Sequence, residues 1–427
     1  MPRAARIDDQ TGADLVVLDL GASKILAAAV SAAGTSWSVR AWEERPSSCL
    51  QRGVIADAAA AGAVVREVLA AIAAATGNRR PRVVVGVGAG AVRSMHARGS
   101  VRTRLPVTIQ ASHVHRALDA AADIGLPSDH EILHVLPVGY EVDGARVVRH
   151  PVGSRARHLV AEAAVVTVRS AALDTLQRVI EATGATVVGA AAAPLAAARV
   201  ALNQEDRRRG AIGLDLGAEG CGAAVYRNGA LQGLAWSAVG GAHITRDVAF
   251  ALQLDFDQAE LLKRRLGVAL LEAAVPERRA EVARGAQRFH VAQPMLAEVI
   301  EARCEEMLVL VRDALRSQAA TSLGDRVVLS GGGARLRGAV ELVEQIFGVP
   351  ARVANPESHA AWDAVAGDPA GCTALGLIEY AARSGLLRRE PATPWVRGWK
   401  RVRRTVTAAR GAGRSAAVVA AATRTQV

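Results

Sequence analysis

The feature that most constrains this chain is a short unit that it carries twice. Leu15-Val16-Val17-Leu18-Asp19-Leu20-Gly21-Ala22-Ser23-Lys24-Ile25-Leu26-Ala27-Ala28-Ala29-Val30 sets an Asp-x-Gly-x-Ser-Lys segment between two runs rich in Val, Leu and Ile. Aliphatic runs interrupted by a glycine turn read as strand, tight turn, strand. Gly210-Ala211-Ile212-Gly213-Leu214-Asp215-Leu216-Gly217-Ala218-Glu219-Gly220-Cys221-Gly222-Ala223-Ala224-Val225-Tyr226 repeats the pattern. One copy is compatible with a plain polar-tipped hairpin. Two copies imply two related domains, each presenting an Asp-x-Gly turn.

The tips carry chemistry. Gly21 lets the backbone approach a ligand closely, Ser23 and Lys24 offer a hydroxyl, amides and a positive charge to phosphate oxygens, and Asp19 can hold a metal-bound water. Lysine is scarce: of 52 basic residues only Lys24, Lys263 and Lys400 are lysine. An ammonium is a compact point charge that an arginine fork does not reproduce, so Lys24 and Lys263 read as chosen.

At 427 residues the chain exceeds one ordinary core. With 51% hydrophobic and 22% charged residues it is expected to be globular. No stretch reaches the roughly 18 uncharged apolar residues that span a bilayer, 186–198 being short and broken by Pro194, so a soluble or peripheral protein is expected. The opening residues lack the apolar core of a signal peptide. Cys49, Cys221, Cys304 and Cys372 lie far apart without metal-like spacing, which fits a reducing compartment. His113 and His115 do not share a helical face and read as solvated or structural.

Along the chain, 37–45 supplies a third strand and 58–75 an alanine-rich helix with Val64, Val65, Val68, Leu69 and Ile72 on its apolar face. Residues 82–91 form a buried strand ending in glycines. Gly86-x-Gly88-x-x-Ala91 looks like a dinucleotide fingerprint, but no helix pattern follows and no acid stands about 20 positions on. Residues 92–165 change character: a polar, arginine-rich opening, a helix over 111–124, and short strands at 131–139, 140–142, 146–148 and 159–168, together a small α+β insertion. A helix over 167–184, a strand at 186–190 and a helix from Pro194 follow. After the second hairpin, Asn228-Gly229 turns the chain into a strand ending at Val239, and Gly240-Gly241 opens a helix. Helices dominate 257–319. The strand 325–329 then runs into Ser330-Gly331-Gly332-Gly333-Ala334, a turn that lets a flat or anionic ligand lie against backbone amides.

Two Asp-x-Gly hairpins and a late strand-Gly-Gly-Gly-helix unit resemble the actin, sugar kinase and Hsp70 superfamily. Ile132-Leu133-His134-Val135-Leu136-Pro137-Val138-Gly139-Tyr140, Asp143-Gly144, His150-Pro151-Val152-Gly153, Gly240-Gly241-Ala242-His243-Ile244-Thr245-Arg246-Asp247-Val248-Ala249, Ala259-Glu260 with Lys263, and Val328-Leu329-Ser330-Gly331-Gly332-Gly333-Ala334 resemble, in this order, the bacterial cell-division protein FtsA. The resemblance runs over residues 14–382. It implies an α/β fold of two actin-like (ribonuclease H-like) domains around a nucleotide cleft with an inserted small α+β subdomain. Residues 1–91 and 166–209 would form the first domain, 92–165 the insertion, 210–247 and 326–387 the second domain, 248–325 a helical subdomain and 388–427 a basic tail.

The resemblance also implies a site for ATP and Mg2+. Asp19, Gly21, Ser23 and Lys24 would form the first phosphate loop, Asp215 and Gly217 the second, and the aspartates would hold magnesium through water rather than as direct ligands. Glu260 and Lys263 would border ribose and adenine, Gly240 and Gly241 would also bind the cofactor, and Gly331, Gly332 and Gly333 would close the adenosine side. The family's second loop reads Asp-x-Gly-Gly-Gly-Thr-Thr-Asp, whereas here hydroxyls are missing at Gly220 and Cys221, an acid is missing at Gly222, and Glu219 adds a negative charge. Coulomb repulsion from Glu219 disfavours a tightly held γ-phosphate. ATP binding with weak or absent hydrolysis by Asp19 and Asp215 is therefore expected.

The formal charge of +11 sits in the tail, where 388–427 carries ten basic residues against Glu390, or +9, leaving +2 for 1–387. Trp395, Trp399, Val402 and Val406 share one helical face with Val396 beside them, and Arg397, Lys400, Arg401, Arg403 and Arg404 surround it. This describes an interfacial helix over 395–406 on an anionic membrane. A solvated basic tail is the plainer reading. A nucleic-acid arm is disfavoured by the near-neutral body, so no nucleic-acid partner is expected. The resemblance implies a peripheral protein on the cytoplasmic face of the inner membrane at the division site, with FtsZ, later division proteins, anionic lipid and further copies of itself as partners. The FtsZ contact would fall in 248–325. A PilM-type pilus adaptor would lack the Trp-bearing tail, and a sugar kinase would need a catalytic carboxylate in a sugar pocket, which nothing singles out.

Overall fold

The computed structural model describes residues 15–33, 36–147, 150–285, 287–318, 324–356 and 367–387. The basic tail with its expected helix at 395–406 lies outside the described residues, and so do the membrane calls on Trp395, Val396, Trp399, Lys400, Arg401, Val402, Arg403, Arg404 and Val406.

Leu15–Leu20 is the middle strand of a five-stranded sheet ordered Thr186–Ala192, Arg82–Val87, Leu15–Leu20, Lys24–Ala33, Ser36–Pro46. It pairs antiparallel with its hairpin partner, Leu20 opposite Ile25, and parallel with Arg82–Val87. Both faces are covered, which is why the strand is apolar at every position except Asp19. A second sheet repeats the order as Ala230–Ser237, Cys221–Arg227, Ala211–Leu216, Val327–Ser330, Ala351–Val353, again with three antiparallel strands followed by parallel ones. The duplicated hairpin of the sequence is therefore a duplicated domain core.

The helix Ala58–Thr76 begins at Asp57, whose side chain accepts the Ala60 N–H at 2.9 Å. By length and composition it is apolar enough to cross a membrane. The sequence reading passed over it because Arg66 and Glu67 interrupt the run. Ala61, Val65, Val68, Leu69 and Ile72 pack into the core of the first sheet, while much of the rest of the helix, alanines included, is exposed.

The insertion is a four-stranded antiparallel sheet ordered Val92–Thr108, Arg155–Arg169, His130–Val142, Ala145–Val147, with helix Ala111–Ala121 on one face. A Cβ at Gly99 would collide with the Ala121 N–H and Ala117 carbonyl, so glycine lets the helix lie close. Three expectations are corrected here. The polar opening at 92 is a 17-residue strand, the strands at 131–139 and 140–142 are one, and Arg155–Arg169 runs past 167, so the next helix is Ser170–Glu181.

Helix Ala193–Ala201 joins the two domains. On one side Gly213 lies against Ala198, where an added Cβ would stand 2.6 Å from the Ala198 Cβ. On the other, Gly376 of helix Cys372–Arg383 touches the Ala196 carbonyl so closely that any Cβ would collide. Ala374, Leu375, Leu377, Ile378 and Ala381 of that last helix pack with Leu15, Val17, Leu26 and Val84. The sequence division assigned 326–387 to the second domain, but this helix crosses back to cover the first sheet. Within 248–325, helices Phe256–Leu266 and Gln293–Gln318 are accompanied by a hairpin, Arg279–Arg284 with Gln287–Ala292, that the helical reading missed.

Candidate actin-like nucleotide cleft

The two hairpin tips form the same turn. The Gly21 N–H donates to the Lys24 carbonyl at 2.9 Å, and the Gly217 N–H donates to the Gly220 carbonyl at 3.0 Å. An added Cβ would stand 2.7 Å from the first carbonyl oxygen and 2.8 Å from the second, so both positions need glycine. Each turn follows an aspartate at a strand end. Burial first and the Asp215 charge second, with Lys24 opposing both, push the Asp19 carboxyl up to about 7. Burial likewise pushes Asp215 up to about 6, against a hydrogen bond from the Ser330 hydroxyl to its Oδ1 at 3.3 Å.

Around this pair the backbone comes close enough to exclude side chains. Gly331 is in the left-handed region at φ +81, and a Cβ there would stand 2.6 Å from Asp215 Oδ1. Gly332 has open space beside it, while a Cβ on Gly333 would press on Leu216. Gly86, at the end of the neighbouring strand, lies on the Asp19 side, its Cβ position 3.7 Å from Oδ1. An apolar cavity of about 30 Å³ sits where these loops meet the helical subdomain, lined by residues including Leu216, Gly217, Gly241, Met307, Gly333 and Leu336.

Helix Gly241–Leu252 is tied to the second turn by its own first amides. The Gly241 and Ala242 N–H groups donate to the Gly217 and Ala218 carbonyls at 2.9 and 2.8 Å. Gly240 precedes it in extended backbone, and a Cβ there would strike Gly217 and Ala218. From the next helix, Phe256–Leu266, Lys263 Nζ donates to the Gly241 carbonyl at 2.9 Å and to Thr245 Oγ1 at 2.7 Å, and pairs with Glu260 at 2.6 Å. Burial lowers the Lys263 ammonium against the raising effect of Glu260. Burial would raise Glu260, but bonds from Lys263 and Thr245 outweigh it and hold the carboxylate low.

Two sequence-derived site residues have partners that the sequence did not disclose. Lys24 Nζ is 2.7 Å from Glu44 on the adjacent strand, at the margin of the cleft. Its charge also reaches Asp368, which is held by Arg335 and caps the Ala370 N–H at 3.0 Å. Glu219, read from sequence as an uncompensated negative charge, is ion-paired with Arg246, which corrects the premise of the repulsion argument. Asp19, Gly21, Asp215, Gly217, Gly240, Gly241, Gly331 and Gly333 come together; Glu260 and Lys263 form the wall beside them. Ser330 and Thr245 were missed as contributors. Their signal was a hydroxyl just before the triple glycine and another in the first turn after Gly240-Gly241.

The donor set fits a hydrated divalent cation and a phosphate chain: two buried carboxylates beside glycine turns provide hard oxygens, and Gly332 has open space beside it. Among the described residues no group of three or more His, Cys, Asp and Glu is placed to hold a metal directly.

Two copies of one five-stranded core, meeting at paired aspartates, define an actin-like ATPase fold. Family models described as "Cell division protein FtsA" and "SHS2 domain inserted in FTSA" match residues 212–376 and 89–167. The cell division protein FtsA of Pseudomonas aeruginosa is 30% identical over 376 residues, 87% of this chain and 90% of that protein. That of Bacillus subtilis is 28% identical, over 87% and 84%. The chain belongs to the cell division protein FtsA family, and is a division-related actin-like protein. Solved structures share the fold: the PilM-PilN type IV pilus biogenesis complex at TM-score 0.60 and 19% identity, over 86% of this chain and 98% of that one. MreB5 of Spiroplasma citri bound to ADP aligns at TM-score 0.54 and 14% identity, over 88% and 98%.

Proposed function

We propose that this chain is an ATP-binding scaffold that tethers FtsZ filaments to the cytoplasmic membrane and helps recruit later division proteins. The observation that carries the nucleotide part is the pair Asp19 and Asp215 in two equivalent glycine turns. Likeness of fold to MreB5 bound to ADP and to AMPPNP supports it. Asp19, Gly21, Ser23 and Lys24 take one side of the phosphate chain and Asp215 and Gly217 the other. Glu260 and Lys263 border ribose and adenine, Gly240 and Gly241 also bind the cofactor, and Gly331, Gly332 and Gly333 close the adenosine side. A bound Mg2+ would supply charge neutralisation, reached by the aspartates through water. Weak or absent turnover follows from the lack of hydroxyls at Gly220 and Cys221.

The membrane part rests on the Trp395 to Val406 face and its arginines, and on family membership. Self-association and contact with FtsZ through 248–325 rest on family membership alone. Sequence identity to the division proteins, higher than the 19% to PilM, favours division over a pilus role. Co-sedimentation with FtsZ filaments on anionic liposomes tests the whole reading. Filaments are expected on the liposomes only with this protein present, and a form ending at Thr393 should leave them in solution. Equal recruitment by that form would sink the tether.

A further inference from the structure

The second turn lacks the hydroxyl donors that a phosphate needs, yet it holds a charged pair. Glu219 follows Asp215 by one turn of the loop and its side chain is only 14% exposed. Its carboxylate is bound by Arg246, from the helix whose Gly241 and Ala242 amides already grip the Gly217 and Ala218 carbonyls. Loop and helix are thus one body, with a guanidinium half in solvent at its edge. Next to Arg246, His243 Nδ1 accepts the Gly240 N–H at 3.2 Å, and burial followed by the Arg246 charge pushes that imidazole down, so the cation that Glu219 binds is Arg246 and not His243. Asp247, beside it in sequence, is committed elsewhere, to Arg303 of helix Gln293–Gln318.

We propose that Arg246 and Glu219 form a selector for the terminal phosphate of the nucleotide, resting on the cleft assigned above. Arg246 is the donor that a triphosphate recruits in place of the absent loop hydroxyls, since a planar fork binds phosphate oxygens bidentately. Glu219 competes for the same guanidinium and, only once released from it, repels the phosphate, so triphosphate binding requires exchange of one anion for another. A diphosphate, lacking the terminal phosphate, would leave the pair closed. Because Arg246 rides on the helix that leads into the helical subdomain, the exchange reports the third phosphate to that subdomain.

The test is equilibrium titration of the full chain with Mg-ATP and Mg-ADP, read by calorimetry. Glu219→Gln removes the competing charge while keeping shape, and is expected to tighten ATP about tenfold with less than about twofold effect on ADP. Arg246→Ala is expected to weaken ATP about tenfold and to leave ADP within about twofold. Opposite signs from two substitutions in one ion pair cannot come from misfolding or from a merely structural bridge. Wild-type binding of both nucleotides, with ATP and ADP moving together in either variant or not at all, overturns the selector and leaves the cleft standing. A wild-type chain that binds neither nucleotide overturns the cleft and the selector together.

Discussion

The Asp215 carboxylate lies near enough to Asp19 that its charge adds to burial in raising the Asp19 carboxyl to about 7. Two domains thus each contribute a buried acid to one low-dielectric site, at a cost to folding. With its folded value above its ordinary 3.8, Asp19 favours folding at low pH, and that contribution is lost as pH rises through about 7. Asp19→Asn should therefore raise the stability of the nucleotide-free chain at pH 8 by up to about 4 kcal/mol, with the gain vanishing near pH 4. Urea unfolding at the two pH values measures it. The same variant should lose Mg-nucleotide binding.

His134 titrates with the opposite sign. It reaches from the insertion into the first domain, where its Nε2 accepts the Ala192 N–H at 3.1 Å and its ring meets Tyr380 edge-on at 5.6 Å. Burial pushes the imidazole down to about 4. The unfolded chain takes up the proton near 6.5 and the folded chain only near 4, so stability falls as pH drops between them, by about 3 kcal/mol in all. His134→Gln retains an acceptor without a titration. Relative to wild type, the variant should gain about 3 kcal/mol between pH 7 and pH 4, whereas parallel pH profiles would contradict the assignment.

What could be read from sequence follows from how local its cause is. The Asp19 and Asp215 turns were legible because a glycine between two aliphatic runs specifies the turn without help from the rest of the chain. Val92–Thr108 was not, since its outward positions carry Arg98, Arg102 and Arg104 while Gly99 serves a helix further on. Cys372–Arg383 was left out of the element reading, and its neighbours were beyond inference: it is buried on nearly every side, so its apolar residues show no stripe, and it packs on a sheet whose middle strand, Leu15–Leu20, lies more than 300 residues earlier. Of the candidate site, the glycines and aspartates were legible; the partners Glu44 and Arg246 were not, because they are set by strand register and helix docking.

Gly376 and Gly62 are both helical glycines with opposite expectations. At Gly376 a Cβ would drive into the Ala196 carbonyl and part the last helix from helix Ala193–Ala201. Gly376→Ala should cost about 1–3 kcal/mol or more, read as a lower denaturant midpoint. At Gly62, inside Ala58–Thr76, nothing lies within 4 Å of the Cβ position. Gly62→Ala should stabilise by about 0.5–1 kcal/mol through the helix propensity of alanine.

Lys263 tests whether the scarce lysines are chosen for their shape. Its three ammonium protons meet three oxygens at one point: the Gly241 carbonyl, Thr245 Oγ1 and Glu260. Thr245 also lies against Glu260, and Arg264 holds the other carboxylate oxygen at 2.7 Å. A guanidinium spreads its donors in a plane and cannot converge on these acceptors in the space that one ammonium fills. Lys263→Arg is therefore expected to fail almost as badly as Lys263→Met, each costing about 1–3 kcal/mol as the Gly241 carbonyl and Glu260 lose a partner. The loss should be local. Hydrogen exchange should quicken across Gly241–Leu252, whose first carbonyl loses its Lys263 partner, while Leu15–Leu20 in the first sheet keeps its protection. Arginine restoring wild-type exchange would show that only charge matters at this position.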